Sequence, residues 1–227
     1  METEDGNLPT EYSALLPDVP ADISFAREAL DQPADAINFW LGNGLSTTAL
    51  HKDNYENVYL QIRGQKHFVL LSPMEMPCVN EQPVRRGRYV PRPSSSPEPE
   101  AQLGLEVCVD DAAAPIPAPT WDPDAPSQRT TPYSHLASPL RVTLEEGDLL
   151  YLPSMWYHKV SQSGGDEGFA CAVNYWYDME FAGQGWAVGQ FVREVCAARE
   201  EVSGGGAGEV QVDYGKLDSS LESGEIE

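Results

Sequence analysis

The sequence has few basic residues. Its 227 residues include 14 Lys and Arg against 36 Asp and Glu, which gives a formal net charge of −22. Residues 1–35 contribute −8 and residues 200–227 contribute −7, so most of the excess lies near the ends. Nucleic-acid backbones and anionic membranes bind basic surfaces, and this charge balance therefore argues against both as direct partners. A basic protein segment is compatible with it, although acidic ends that keep the protein soluble are the simpler interpretation.

Cysteines and long apolar runs are also scarce. The four cysteines are far apart and form no CxxC pair, so we expect reduced thiols and neither a disulfide framework nor a zinc knuckle. No apolar run approaches the roughly 20 residues of a transmembrane helix. The acidic N-terminus resembles neither a secretory signal nor an Arg-rich transit peptide. These absences predict a cytosolic protein, with or without a nuclear fraction.

The chain changes character several times along its length. Residues 1–36 form an acidic segment in which 22–35 predict one short helix that ends near Pro33. Residues 37–180 contain about eight short strand patterns, interrupted by a Pro-rich insertion at 73–139. This organisation predicts an all-β sandwich or barrel. We expect the insertion to form no core of its own and its middle to be mobile.

Two local signals complete this outline. The patterns on either side of Gly64–Gln65 predict a tight hairpin, because two alternating runs meet at a glycine. Apolar residues at helical spacing predict an amphipathic C-terminal helix over 181–201. The remainder, 202–227, is acidic and begins with a Gly-rich run, so we expect a disordered tail.

Three residues suggest a metal site. His51 and Asp53 are two positions apart, so on a strand their side chains face the same way. His158 lies on a later predicted strand. Two histidines and one carboxylate on adjacent strands form the facial triad of non-haem Fe(II) oxygenases, although an isolated His-x-Asp pair is more often surface decoration. The two other histidines, His67 and His135, have no comparable setting.

Four further residues are candidates for binding a cosubstrate. Lys66 lies on a predicted central strand, where a lysine is costly to bury without a partner, although a solvated position is its commoner fate. Thr48 precedes His51 by three residues and offers a hydroxyl. Asn57 and Asn174 are strand amides next to the proposed ligands. Each either holds a ligand carboxylate, orients a neighbour, or is a satisfied core amide.

Five blocks of the sequence, together with the candidate residues above, carry a family resemblance: DAINFWLG (35–42), TALHKDNYENVYLQIRGQKHFVLLSP (48–73), TWDPDAPS (120–127), EEGDLLYLPSMWYHKV (145–160) and AVNYWYDMEF (172–181). The sequence resembles the JmjC-type 2-oxoglutarate oxygenases of the cupin superfamily. Within it, the resemblance is greatest to the jumonji-domain protein "seven" type of lysyl (3S)-hydroxylase. It extends from about residue 7 to 200, apart from 80–118. The resemblance implies a double-stranded β-helix, the jelly-roll or cupin-like JmjC barrel.

The resemblance also implies a cofactor and roles for the candidate residues. The family's Fe(II) ligands fall on His51, Asp53 and His158, and its cosubstrates are 2-oxoglutarate and O₂. The lysine that pairs with the far carboxylate of 2-oxoglutarate falls on Lys66, and its hydroxyl helper falls on Thr48. The two amides that line the cosubstrate site are Asn57 and Asn174.

The function that the resemblance implies is hydroxylation of a protein lysine at C3, with developmentally regulated GTP-binding proteins as the expected partners. Asp178 and Glu180 then become candidates for an acidic lysine entrance, although a solvated strand end explains them equally well. Two alternatives stay open: an Nε-methyl-lysine demethylase acting on histones, and a catalytically weakened cupin-like binding module. The oligomeric state also stays open, with a homodimer among the options.

One departure from the family concerns the N-terminus. Members of the family carry roughly a hundred or more residues before the INFWLG strand, including strands that buttress the barrel. Here 36 residues precede it. We therefore expect either a shortened sequence or a naturally reduced member, with the effect on stability and cosubstrate affinity greater than on the metal ligands.

Overall fold

The structure is a computed structural model that describes residues 6–91 and 104–202. These residues form two compact units: residues up to Glu81 together with Ala118–Glu200 belong to the first, and Gln82–Pro117 belong to the second. The strands are β1 Ala36–Gly42, β2 Thr47–His51, β3 Tyr55–Arg63, β4 Gln65–Leu71, β5 Glu81–Val84, β6 Gly87–Pro91, β7 Leu105–Val109, β8 Ile116–Pro119, β9 Leu140–Leu144, β10 Leu149–Leu152, β11 Tyr157–Ser163 and β12 Ala170–Asp178, and the helices are α1 Ser24–Leu30 and α2 Gln184–Val202.

Two four-stranded antiparallel sheets build the first unit. One sheet has the order β1-β12-β3-β10, and the other has the order β2-β11-β4-β9. Apolar side chains from both sheets meet in one buried cluster, so the sheets face each other. The members of this cluster are Tyr59, Leu152 and Ala172 from the first sheet, and Phe68, Leu70, Leu144 and Val160 from the second. This arrangement confirms the predicted all-β, cupin-like barrel with a C-terminal helix.

The predicted hairpin at Gly64 is wrong. β3 pairs with β12 and β10, whereas β4 pairs with β11 and β9, so the chain changes sheets at this glycine. Gly64 has a φ of +64°, and a Cβ there would lie 2.7 Å from the carbonyl oxygen of Ser163. Alternation of apolar residues is the same on both sides of a hairpin and of a corner between sheets. The local pattern therefore does not distinguish the two arrangements.

The N-terminal segment covers the outer face of the first sheet. Ala26 of α1, which lies inside the stretch predicted to be helical, packs with Val58, Val173 and the aromatic rings of β12. Asn7 binds the edge of the sheet: its Nδ2 donates to the carbonyl oxygen of Phe39 (3.0 Å), and the Phe39 amide donates to its Oδ1 (2.7 Å). The segment thus satisfies part of an otherwise open strand edge.

The outer face of the second sheet is covered by both ends of the predicted insertion and by α2. Met76 and Trp121 are buried against Leu71 and Tyr157, and Val192 of α2 packs on the same cluster. Both ends of 73–139 therefore add side chains to a core that the sheet already provides. A Pro-rich composition disfavours regular structure, but it does not prevent single large side chains from packing on an existing sheet.

The rest of the insertion contains short strands. β5 pairs with β8 and β6 pairs with β7, in two ladders of two strands each. The middle of the insertion, 92–103, lies outside the described residues, as do 203–227 of the predicted tail. None of the four cysteines forms a disulfide. In the described part of the chain, neither helix combines the length and the hydropathy that a membrane span requires.

Candidate metal centre and cosubstrate pocket

Two paired strands bring the candidate metal ligands together. His51 is the last residue of β2 and lies directly opposite His158 on β11, with ring centroids 4.0 Å apart. Asp53 follows the end of β2 by two residues and is in a loop, not on a strand as the spacing suggested. The amide of Met155 donates to the backbone oxygen of Asp53 (2.9 Å) and holds this loop beside β11.

The distances between these side chains suit one metal ion. Oδ2 of Asp53 lies 3.5 Å from Nε2 of His158 and 3.8 Å from Nε2 of His51. The three ligand atoms all lie within 4.8 Å of one another. Two atoms that each bind an ion at about 2.1 Å are at most about 4.2 Å apart, so both His–Asp distances allow a shared ion. The donor set of two imidazoles and one carboxylate is that of the Fe(II) facial triad.

Backbone carbonyls orient both imidazole rings. Nδ1 of His51 lies 2.8 Å from the oxygen of Ala49, and Nδ1 of His158 lies 3.0 Å from the oxygen of Trp156. A carbonyl oxygen only accepts, so each Nδ1 carries the proton. Nε2 of each ring therefore faces Asp53 as the atom that would bind a metal.

The surroundings of these groups also favour the protonation states that a metal requires. Burial lowers the pKa of His51, and the neighbouring His158 lowers it further. For Asp53, burial by itself would raise the pKa, but the hydrogen bond with His158 and the charges of both histidines lower it overall. A neutral imidazole and an ionised carboxylate are consequently favoured at neutral pH.

Lys66 is a buried cation in the barrel interior. It is 7% exposed, and no described carboxylate forms an ion pair with it. Its Nζ lies 5.9 Å from the ring centroids of Trp40 and Tyr59. Burial lowers its pKa to about 8. Such a group is costly unless an anion neutralises it, and the carboxylate of a cosubstrate has the required charge.

The two candidate amides form a hydrogen-bonded chain with a tryptophan. Trp40 Nε1 donates to Asn174 Oδ1 (2.8 Å), and Asn174 Nδ2 donates to Asn57 Oδ1 (2.9 Å). The indole of Trp40 thus orients the Asn174 amide, a role that the sequence analysis did not identify. Asn38 lies opposite Asn174, and its buried Nδ2 has no partner among the described residues. The sequence did contain a signal for the contact between Trp40 and Asn174: Asn38 and Trp40 are two residues apart on one strand, so their side chains face the same side.

Thr48 lies on β2, three residues before His51. It lies opposite Val160 on β11, and its side chain is exposed. Val160 is an inward-facing member of the core cluster, so Thr48 faces the same side. Among the described residues, no hydrogen bond joins it to Lys66.

The remaining sequence candidates lie outside this centre. Asp178 and Glu180 are exposed at and after the end of β12. His67 contacts Thr143 Oγ1 (3.0 Å) and Ser163 Oγ (2.7 Å), and His135 is an exposed residue of a short 3-10 helix. Neither of these two histidines approaches the candidate ligands.

A cavity of about 490 Å³ lies beside the second sheet and α2. Four methionines line it together with Lys52 and Tyr157. Lys52 follows His51 in the sequence, and Tyr157 precedes His158. None of the three candidate metal ligands lines it. The cavity is therefore distinct from the barrel interior that holds Lys66 and the amide chain.

Comparison with protein families places this arrangement in context. Residues 1–183 match the family model described as a cupin-like domain. The chain belongs to this family. Within it, the chain is of the JmjC type, as its relatives indicate, and the resemblance inferred from the sequence motifs is confirmed.

Three relatives of this cupin-like domain are informative. The human protein named bifunctional peptidase and (3S)-lysyl hydroxylase JMJD7 is 39% identical over 175 residues, covering 77% of this chain and 52% of that protein. Lysine-specific demethylase JMJ32 of Arabidopsis thaliana is 37% identical over 175 residues, covering 76% and 50%. JmjC domain-containing protein E of Dictyostelium discoideum is 31% identical over 214 residues, covering 89% and 59%. The chain thus spans about half the length of the first two curated relatives.

Proposed function

We propose that this cupin-like domain is an Fe(II)- and 2-oxoglutarate-dependent oxygenase that acts on a protein. The observation that carries the proposal is the convergence of His51, Asp53 and His158, with Oδ2 of Asp53 3.5 and 3.8 Å from the two Nε2 atoms. Two buried donors that have no hydrogen-bond or ion-pair partner among the described residues also fit the cosubstrate. Lys66 offers a positive charge, and Asn38 Nδ2 offers an unused hydrogen bond.

The residues of the chain have separate tasks in this proposal. His51, Asp53 and His158 would hold Fe(II) through two imidazoles and one carboxylate. Lys66 binds the far carboxylate of 2-oxoglutarate, and the Trp40–Asn174–Asn57 chain keeps the amides oriented beside it. When bound, Fe(II) supplies the oxidation in which 2-oxoglutarate and O₂ yield succinate, CO₂ and one oxygen atom for the substrate.

For the substrate we propose a protein lysine, hydroxylated at C3. The support is the 39% identity to a relative named as a (3S)-lysyl hydroxylase. Exposed carboxylates at Asp178 and Glu180 are suited to attract an ammonium group. Developmentally regulated GTP-binding proteins are the partners that we propose to test first, with the enzyme acting as a monomer or a homodimer.

Demethylation of an Nε-methyl-lysine is the second candidate. It is favoured by the 37% identity to a relative named as a lysine-specific demethylase, and the same facial triad serves both reactions. The two reactions differ in the atom that is oxidised. Their products therefore differ in mass, which allows one experiment to separate them.

The test is an incubation of purified protein with Fe(II), 2-oxoglutarate, ascorbate and Lys-containing peptides, followed by mass spectrometry. A peptide heavier by one oxygen atom, absent with His51→Ala, supports hydroxylation. Loss of a methyl group from a methylated peptide supports demethylation instead. Failure of the wild-type protein to bind Fe(II) or Mn(II) rejects both, and metal binding without turnover of 2-oxoglutarate supports a weakened binding module.

A further inference from the structure

Four side chains form a buried ionic group on the outer face of the second sheet. We call it the Glu81 cluster, after the residue at its centre. Oε1 of Glu81 accepts hydrogen bonds from Nζ of Lys52 and from the hydroxyl of Tyr157 (2.6 Å). Nζ of Lys52 also donates to the Tyr157 hydroxyl (3.0 Å). The second oxygen, Oε2, accepts from Nε of Arg193 on α2 (2.9 Å).

The cluster lies directly behind the candidate metal ligands. Lys52 is the residue between His51 and Asp53, and Tyr157 precedes His158. Successive side chains of an extended segment point to opposite sides, so Lys52 and Tyr157 face outward while the ligands face the barrel. Glu81 therefore connects the two segments that carry the ligands, from the side opposite the metal.

The contacts of Glu81 are geometrically demanding. Its side chain is 6% exposed, and that of Lys52 is 13% exposed, so neither is well solvated. Nζ of Lys52 also lies 4.8 Å from the centroid of the Tyr157 ring. Charge-assisted hydrogen bonds between buried groups are short and strong, and removal of one partner leaves an uncompensated buried charge. The relative position of Lys52 and Tyr157 is consequently restricted to a narrow range.

We propose that Glu81 is a positioning residue for the metal centre. By binding Lys52 and Tyr157 together, it holds the His51-x-Asp53 segment at the distance from His158 that three ligands of one ion require. This inference rests on the proposed metal-dependent function. Glu81 touches no ligand and no reacting atom, so its effect reaches the metal through the backbone on either side of Lys52 and Tyr157.

The arrangement has a precedent in the general behaviour of metal sites. Groups that orient ligands without binding the ion typically contribute about 10–100-fold to metal affinity. Because Glu81 acts through neighbouring residues and not on the ligands themselves, we expect an effect near the lower limit, about tenfold. The geometry of the bound ion should change as well, since the separation of the two ligand segments would no longer be fixed.

The experiment measures metal binding to the full chain without relying on turnover. Glu81→Gln keeps the size of the side chain and removes its charge, and Tyr157→Phe removes only the hydroxyl contact. The control is Tyr177→Phe. It removes the hydrogen bond that the Tyr177 hydroxyl donates to Oδ1 of Asp22 (2.7 Å), on the outer face of the other sheet. Mn(II) affinity and the visible spectrum of the Co(II) form are recorded at a temperature at which circular dichroism shows each variant folded.

We expect Mn(II) binding to weaken about tenfold in Glu81→Gln and by a smaller factor in Tyr157→Phe. Both should have altered Co(II) spectra, and Tyr177→Phe should match the wild type in both measurements. If Glu81→Gln does not fold, the Mn(II) affinity and Co(II) spectrum of Tyr157→Phe alone test the positioning role. Wild-type affinity and an unchanged spectrum in the folded variants would overturn the positioning role while leaving the metal centre intact. Absence of metal binding by the wild type would overturn the proposed function, and this inference with it.

Discussion

Nε2 of His158 lies 3.5 Å from Oδ2 of Asp53, although the two residues belong to distant parts of the chain. The contact exists because β11 pairs with β2 and places His158 opposite His51. The loop after β2 then returns Asp53 to the same point. One strand pairing thus assembles the whole candidate metal centre, and changes to any of its three side chains should have a large effect on metal binding.

Asp53→Asn should weaken Mn(II) binding by more than about a hundredfold, because it removes the one anionic ligand of the centre. Isothermal titration of the metal into each protein measures the effect. Asp111→Asn is the control, since it makes the same chemical change at an exposed carboxylate that pairs with Arg85 in the second unit. Equal affinities in Asp53→Asn and the control would contradict the assignment of Asp53 as a ligand.

Lys66 should make the stability of the metal-free protein depend on pH. Its folded-state pKa of about 8 is below the value of 10.5 for a free lysine. The unfolded chain therefore binds more protons between these values, and the penalty for burying the ammonium is complete below pH 8 and disappears as the pH rises towards 10.5. We expect the loss of this penalty to add about 2 kcal/mol to the free energy of unfolding between pH 7 and pH 10.

Lys66→Met removes that charge and keeps most of the volume. Urea unfolding should show a variant that is more stable than the wild type at pH 7, with the difference shrinking by pH 10. Addition of 2-oxoglutarate with Mn(II) should stabilise the wild type more than the variant, since the carboxylate loses its cation. A variant that is less stable than the wild type at pH 7 would show that Lys66 is already neutralised within the protein.

Trp40→Phe should disturb the amide chain. Loss of the indole N–H leaves Oδ1 of Asn174 without its donor in a buried position, which costs about 1–3 kcal/mol. The amides would also lose their fixed orientation, so binding of 2-oxoglutarate should weaken. Trp156→Phe provides the comparison, because its ring packs on the same core cluster. If both variants lose equal stability and equal 2-oxoglutarate affinity, the hydrogen bond of Trp40 has no separate role.

Gly64→Ala should destabilise the barrel more than Gly147→Ala. Both glycines have positive φ, +64° and +89°, so both substitutions incur the cost of a left-handed residue, about 1–2 kcal/mol. Only at Gly64 would the new Cβ meet backbone, at 2.7 and 2.9 Å from the oxygens of Ser163 and Phe169, whereas nothing lies within 4 Å at Gly147. Chemical denaturation of both variants gives the difference, and equal losses would argue against tight packing where the chain changes sheets.

Much of the candidate site was accessible from the sequence. The residue types of the triad and the unusual lysine on a strand indicated their chemistry without coordinates. The strands were recognisable because alternation is a local property that repeats within a few residues. The C-terminal helix was recognisable for the same reason, although Phe191 and Val195 of its apolar set are exposed and Val192 provides the packing contact.

The tertiary structure decided the features that depend on which strands meet. It placed β3 and β4 in different sheets, and it joined Trp40 to Asn174 and Asn57. It also gathered the Glu81 cluster behind the ligands. These contacts link residues that are distant in the chain, and their formation depends on the burial of whole faces and not on any local pattern. The sequence by itself therefore determined the chemistry that the domain carries, and only the pairing of the sheets determined how that chemistry is held in place.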